Sequence, residues 1–313
     1  MPRSYRPPAE LYPFQSHWLE VGGQRMHYLD EGPRDAPPVL MLHGNPTWSF
    51  YYRNLVAALS GRYRCIVPDH IGCGLSDKPA DRDYEYTLRQ RVADLDALLG
   101  HLRLDQPLSL VVHDWGGMIG FAWAAERPER VARCVVLNTA AFRMPPDKKL
   151  PFLLWLAGRT RPGGWLVRGV NAFSGLAARI AFKKPVDEQV RAAYTGPYDS
   201  WENRIATLRF VQDIPLEPDD PGYDLVLATE QRLPAFAEKP ALIGWGERDF
   251  VFDDPFLQHW LRTLPDAEVH RYPDCGPYIL EDAGAPLQDA IVDFLDRHST
   301  AAARPDDGPL EHA

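Results

Sequence analysis

The sequence predicts an α/β fold: a mostly parallel, eight-stranded sheet flanked by helices and interrupted by an inserted helical cap. Three observations carry this. Eight short runs rich in β-branched and aromatic residues recur along the chain, most of them bounded by Gly, Pro or Asp. Amphipathic helical patterns lie between several of these runs, and alternating buried strands and helices mark a parallel sheet covered on both faces. The sixth run ends at residue 138 and the seventh begins at 240, a gap far longer than a crossover helix needs.

Residues 1–16 read as a loop. Runs 17–21 and 25–30, joined by Gly22-Gly23-Gln24, read as an antiparallel hairpin at the sheet edge. Runs 38–43 and 63–68 follow. Residues 89–102 form a helix, because Val92, Leu95, Leu98, Leu99 and Leu102 fall on one face. Run 108–113 is strongly apolar and leads into a helix over 118–126, then run 133–138. Residues 140–225 hold aromatics at helical spacing (Phe152, Trp155, Trp165, Phe173 and Phe210 among them), mixed with Arg and Lys, and read as the cap. Runs 240–245 and 268–272 and a helix over 286–297 complete a core of residues 17–139 and 226–298. Residues 299–313 are polar and Pro-containing, so both termini, 1–16 and 299–313, are expected to be poorly ordered.

Composition narrows the function. With 313 residues, 45% of them hydrophobic, the chain can bury a large core without metal or disulfide staples. The longest apolar run, 152–157, is six residues, against the roughly 20 of a membrane span. A net charge of −9 argues against nucleic acid as the main partner. Cys65, Cys73, Cys134 and Cys275 are widely spaced and form no C-x-x-C pair, and residues 1–14 lack an apolar signal core. Both point to a cytoplasmic protein with reduced thiols. No His/Cys/Asp/Glu cluster has metal-ligand spacing, so no cofactor is expected.

Three motifs carry chemistry. Leu110-Val111-Val112-His113-Asp114-Trp115-Gly116-Gly117 is a strand running into small residues that open a helix. This is the nucleophile-elbow pattern with Asp114 where a serine often stands. The tight turn needs small neighbours, and the helix N-terminus favours an ionised carboxylate. The plain alternative is an Asp N-cap. His43-Gly44-Asn45-Pro46-Thr47-Trp48 follows a buried strand, and backbone N–H groups of Asn45 and Trp115 can point at one spot. Its plain alternative is a polar turn. The Gly-rich loop 68–79 lacks the G-K-[ST] of a phosphate loop and reads as structural.

Together, H-G-N-P-T-W, D-x-I-G-x-G-x-S-D-K-P and H-D-W-G-G resemble the haloalkane dehalogenase branch of the α/β-hydrolase fold over most of the chain. Residues 64–72, 113–120, 197–205 and 209–215 resemble more closely the OleB-type β-lactone decarboxylases of bacterial long-chain olefin synthesis. The resemblance implies Asp114 as nucleophile, Asp249 as triad acid, and Trp115 with the Asn45 side chain as donors to a leaving anion. It also implies a small apolar substrate with alkyl chains, the β-lactone synthetase as a partner, and a capped pocket to which Tyr194, Tyr198 and Trp201 belong.

The pattern breaks at one place. Where the family has G-H-Y-x-L-E-D, this chain has Gly276-Pro277-Tyr278-Ile279-Leu280-Glu281-Asp282, so Pro277 stands at the general-base position. Other histidines are poor substitutes: His270 lies within a strand, His43 and His70 read as turn residues, and strand alternation turns His113 away from Asp114. Esters of Asp114 are then expected to form without the usual hydrolysis. A β-lactone offers a route without water, by attack at the ring carbon bearing oxygen and loss of CO2. Attack at the carbonyl, giving a mixed anhydride, stays open. The competing functions are haloalkane dehalogenase, epoxide hydrolase with Tyr194 and Tyr198 as acids, and a ligand-binding pseudo-enzyme.

Overall fold

The computed structural model describes residues 5–104, 106–169, 175 and 181–299. Phe173 and residues 300–313 lie outside them. The sheet has eight strands: β1 (His17–Val21), β2 (Gln24–Glu31), β3 (Pro38–Leu42), β4 (Arg64–Pro68), β5 (Leu108–Asp114), β6 (Val131–Thr139), β7 (Ala241–Gly246) and β8 (Glu268–Tyr272). Their order is β1-β2-β4-β3-β5-β6-β7-β8. The edge hairpin β1–β2 is antiparallel, β2 pairs antiparallel with β4, and every later pairing is parallel.

Among the described residues the helices are α1 (Arg53–Leu59), α2 (Leu88–Leu102), α3 (Trp115–Ala124), α4 (Phe152–Arg159), α5 (Arg161–Gly169), α6 (Glu188–Thr195), α7 (Ile205–Gln212), α8 (Tyr223–Arg232), α9 (Asp254–Thr263), α10 (Ile279–Asp282) and α11 (Ala285–Arg297). α1, α8, α9 and α10 have no counterpart among the helices that the sequence predicts. The helix expected over 118–126 starts three residues earlier, at Trp115.

Strand alternation sorts the core into two layers. Leu40 and Leu42 of β3, with Leu110 and Val112 of β5, pack toward α2, α3 and α9. Val39, Met41 and Val111 pack on the other face toward α1 and α11. β3 lies between β4 and β5, so the chain leaves it in one direction and returns on its other side. Such a switch point opens a crevice at the carboxyl ends of the strands. The loop after β3 and the turn after β5 meet there. A third cluster, Leu154, Ala157, Val167, Leu208 and Val211, joins α4 and α5 to α7 within the insertion.

One expectation is overturned. The segment before β1 is not loosely held over its described part. Tyr12 is buried, its hydroxyl lies 2.6 Å from Ser49 Oγ, and its ring packs on Trp48. Tyr5 also meets the Trp48 edge. Aromatic burial, invisible to a reading based on loop composition, straps this segment to the core.

Candidate active site

β5 ends on Asp114, whose backbone has φ 51° and ψ −127°. A residue with a side chain rarely adopts such a positive φ, and holding it there costs on the order of 1–3 kcal/mol. The turn is possible only because its neighbours are glycines. A Cβ on Gly116 would lie 1.9 Å from Leu42 O, one on Gly117 would lie 2.0 Å from Thr139 Oγ1, and one on Gly44 would strike the Asp114 carboxylate at 1.9 Å. The Thr139 hydroxyl donates to Asp114 O and pins the turn from β6.

Two backbone N–H groups converge on the Asp114 carboxylate. Asn45 N donates to Oδ1 at 2.7 Å, and the Trp115 N–H at the start of α3 adds a weaker electrostatic pull on the charge. Burial pushes the Asp114 pKa up to about 6, against the pull of these two N–H groups. The carboxylate is therefore mostly ionised at neutral pH and poorly solvated, the condition of a carboxylate nucleophile. Of the two N–H groups that the sequence suggested for a leaving oxyanion, that of Asn45 is thus spent on Asp114 itself.

Above Asp114 lies an apolar cavity of about 410 Å3. Its polar wall consists of Asn45, His113, Asp114, Trp115, Asp249 and Tyr278. Its apolar wall comes from both the core and the insertion, as Met118 and Phe256 of the one and Leu154, Val167 and Val211 of the other show. Asp249 follows β7. Its Oδ1 accepts from Val251 N at 2.8 Å and Phe252 N at 3.1 Å, while Oδ2 is buried without a partner among the described residues. Burial, reinforced by the Asp114 charge, pushes the Asp249 pKa up to about 7. An orphaned carboxylate oxygen is costly.

Pro277 lines the cavity and presents a backbone carbonyl, which His113 Nε2 meets at 2.7 Å. His113 is among the residues lining the cavity, and its ring stacks on Tyr51. The pairing of β5 with β6 shifts register between His113 and Asp114. With Nε2–H donating to Pro277 O, Nδ1 carries a lone pair and has no partner among the described residues. Burial lowers the His113 pKa to about 3, so it is a neutral wall and a weak base.

The three residues expected in the capped pocket do not line it. Tyr194 is buried and donates to Glu281 Oε1 at 2.6 Å, and Tyr198 is buried and donates to Thr47 O at 3.2 Å. Both hydroxyls are used in joining the insertion to the core, which removes the acids an epoxide hydrolase needs. Trp201 faces solvent, with the Arg168 guanidinium 4.5 Å over its ring. Asn45 does line the cavity, but its Nδ2 donates to Thr207 O at 3.1 Å while its Oδ1 is unpartnered. Tyr278, missed in the sequence, is the nearest substitute. It lines the cavity with a hydroxyl that makes no hydrogen bond to the described residues. Burial and the Asp114 charge push its pKa well above the usual tyrosine range. Its position directly after Pro277 was the available signal.

The other candidate histidines are structural, as expected. His43 Nδ1 donates to Gly44 O, His43 Nε2 accepts from His70 N, and His70 Nε2 donates to His43 O. The Gly-rich loop is likewise tied by Asp69, which bonds His27, Ser49 N and Leu75 N. No group of three or more His, Cys, Asp or Glu among the described residues is placed to hold a metal. No described helix is long and apolar enough to cross a membrane.

A strand–elbow–helix nucleophile turn beneath an inserted helical segment, on this sheet order, defines an α/β-hydrolase, and the family model for the alpha/beta hydrolase fold matches residues 37–284. The chain belongs to that family. Within it, the chain is 52% identical to a cis-3-alkyl-4-alkyloxetan-2-one decarboxylase of Shewanella oneidensis, over 94% of this chain and 92% of that one. It is 50% identical to the protein of the same name from Xanthomonas campestris pv. campestris, over 92% and 98% of the two chains. A haloalkane dehalogenase of Mycobacterium marinum is 36% identical over 90% of this chain and 94% of its own. The crystal structure of a haloalkane dehalogenase from Bradyrhizobium elkani superposes with a TM-score of 0.83 at 28% identity, covering 92% of this chain and all of that one. The chain is therefore an enzyme of the dehalogenase-like group, most similar among these to the decarboxylases.

Proposed function

We propose that this protein is a β-lactone decarboxylase that converts cis-3,4-dialkyl β-lactones to cis-alkenes and CO2 on Asp114, and that Pro277 disables the hydrolytic half of the chemistry its relatives share. The reading rests on one juxtaposition: an ionised carboxylate on the floor of an apolar cavity, with a proline where the water-activating base belongs. The choice of lactone over haloalkane rests on identities of 50–52% against 36%.

Asp114 Oδ attacks the ring carbon that bears the ring oxygen. The C–O bond breaks, and its electron pair leaves as a free carboxylate on the neighbouring carbon. The C–C bond to that carboxylate then breaks, its electrons form the alkene, and the Asp114–carbon bond breaks to return the carboxylate. Inversion followed by anti elimination preserves cis geometry. No water or proton is consumed, so this course does not need the missing histidine. Attack at the carbonyl instead gives a mixed anhydride whose release needs activated water, which Pro277 cannot supply. Residues 140–225 act as the cap that excludes water from the ester. The substrate class requires a preceding enzyme that closes a β-lactone, and that synthetase is the expected partner.

Two measurements test the reading. A long-chain 1-bromoalkane should add its alkyl mass to the protein and not to Asp114→Ala, as read by intact mass spectrometry. Steady halide release without an adduct would sink the role given to Pro277. A synthetic cis-dialkyl β-lactone should yield cis-alkene. Absence of alkene from both this chain and Pro277→His would sink the decarboxylase assignment.

A further inference from the structure

The outer face of α4 and α5 is unlike the surface of an ordinary soluble helix pair. Their inner residues Leu154, Ala157 and Val167 pack on Leu208 and Val211, as a cap requires. Their outer residues are also apolar: Phe152 is 68% exposed, Trp155 45%, Trp165 57% and Leu166 41%. Contiguous exposed apolar surface of this kind marks an interaction site.

The charge around it is one-sided. Between Asp147 and Asp187 the sequence has no Asp or Glu, while Lys148, Lys149, Arg159, Arg161 and Arg168 fall on or beside the two helices. The whole chain carries −9, so this stretch runs against the rest. Lys148 pairs with Asp253 and Arg159 with Asp220. Lys149 and Arg161 are exposed and have no acidic partner among the described residues. Exposed Trp, Phe and Leu bordered by unpaired cations make the composition of a surface that lies in the headgroup region of an anionic bilayer. A twofold contact with a second copy through this face would set these cations against their own symmetry mates.

The patch is continuous with the cavity. Phe152 and Leu166 are exposed and also line it, as does the half-exposed Phe250. We propose that the α4–α5 face docks on the surface of a membrane containing anionic phospholipid, placing the cavity mouth against the acyl chains. The docking surface does not depend on the assigned reaction. That dialkyl substrate enters and alkene leaves through the bilayer rests on the decarboxylase reading.

The test is co-sedimentation of the full chain with phosphatidylcholine vesicles with and without phosphatidylglycerol. Binding to the anionic vesicles, weakened by salt, is expected. Trp155 and Trp165 do not line the cavity, so Trp155→Ser with Trp165→Ser should abolish sedimentation while leaving alkylation of Asp114 by a water-soluble bromoalkane unchanged. Lys149→Gln with Arg161→Gln should lower partitioning about tenfold or more. Failure to bind anionic vesicles, equal binding to neutral ones, or undiminished binding by the tryptophan variant would each overturn the proposal. A concentration-dependent dimer in sedimentation velocity, lost in the tryptophan variant, without vesicle binding would overturn it in favour of a second copy. If vesicle binding holds but no alkene is formed from lactone, the surface stands and the reaction assignment falls.

Discussion

Asp249→Asn isolates the cost of the orphaned acid. In the folded protein its pKa is pushed up to about 7, against 3.8 for an unperturbed aspartate. A raised carboxyl pKa means that the native state holds its proton more tightly than the unfolded chain. Stability from this group is then complete below about pH 4 and is lost as pH rises to about 7, where burial of the charge is fully felt. A gap of roughly three units at about 1.4 kcal/mol each sets the total near 4 kcal/mol, of which about 2–3 kcal/mol falls between roughly pH 5 and pH 8. Asparagine keeps the oxygen that accepts from Val251 N and Phe252 N and replaces the buried charge with a neutral amide. Urea unfolding of both proteins at the two pH values gives the double difference. The variant should gain about 2–3 kcal/mol relative to the parent on going to the higher pH. A gap that does not change with pH, or a variant that loses ground as pH rises, would refute the picture of Asp249 as an unpaired buried acid.

Other outcomes follow from the same geometry. Pro277→His should give Asp249 Oδ2 its partner and release the alkyl adduct at least about 10²-fold faster, measured as multiple-turnover halide release from a bromoalkane. Alkylation of Asp114 should slow as pH falls through about 6, because the nucleophile must be ionised, and pseudo-first-order adduct formation across pH reads this directly. Asp213→Ala leaves the Arg91 guanidinium, which is buried and bonded to Asp213 at 2.9 Å, without its counter-charge, so denaturant unfolding should show a loss of about 3–5 kcal/mol.

Much of the fold could be read from local chemistry because it is encoded locally. Strand runs end where Gly, Pro or Asp ends them, and the observed β1, β5 and β8 differ from the expected runs by no more than one residue. The elbow was readable for the same reason. A turn with positive φ at Asp114 and glycines packed against Leu42 and Thr139 leaves a composition that few other structures need. Pro277 was readable as a departure from the family pattern because a proline side chain carries no group that can move a proton.

Which atoms face the cavity was settled by packing between segments distant in sequence. Tyr194 and Tyr198 had the right residue type and lay in the right segment, yet their hydroxyls bond Glu281 and the loop after β3. The partners of His113, Tyr51 and the Pro277 carbonyl, come from distant parts of the chain. Tyr12 looked like loop until Trp48 covered it. Local sequence was enough for the succession of strands, the carboxylate on its turn and the proline in place of the family's histidine, because each depends on neighbours a few residues away. Only the tertiary structure decided which hydroxyls are spent, which carboxylate oxygen is stranded and which helix face is left bare. Those depend on contacts across the molecule, where burial and pairing trade against each other and no local pattern records the result.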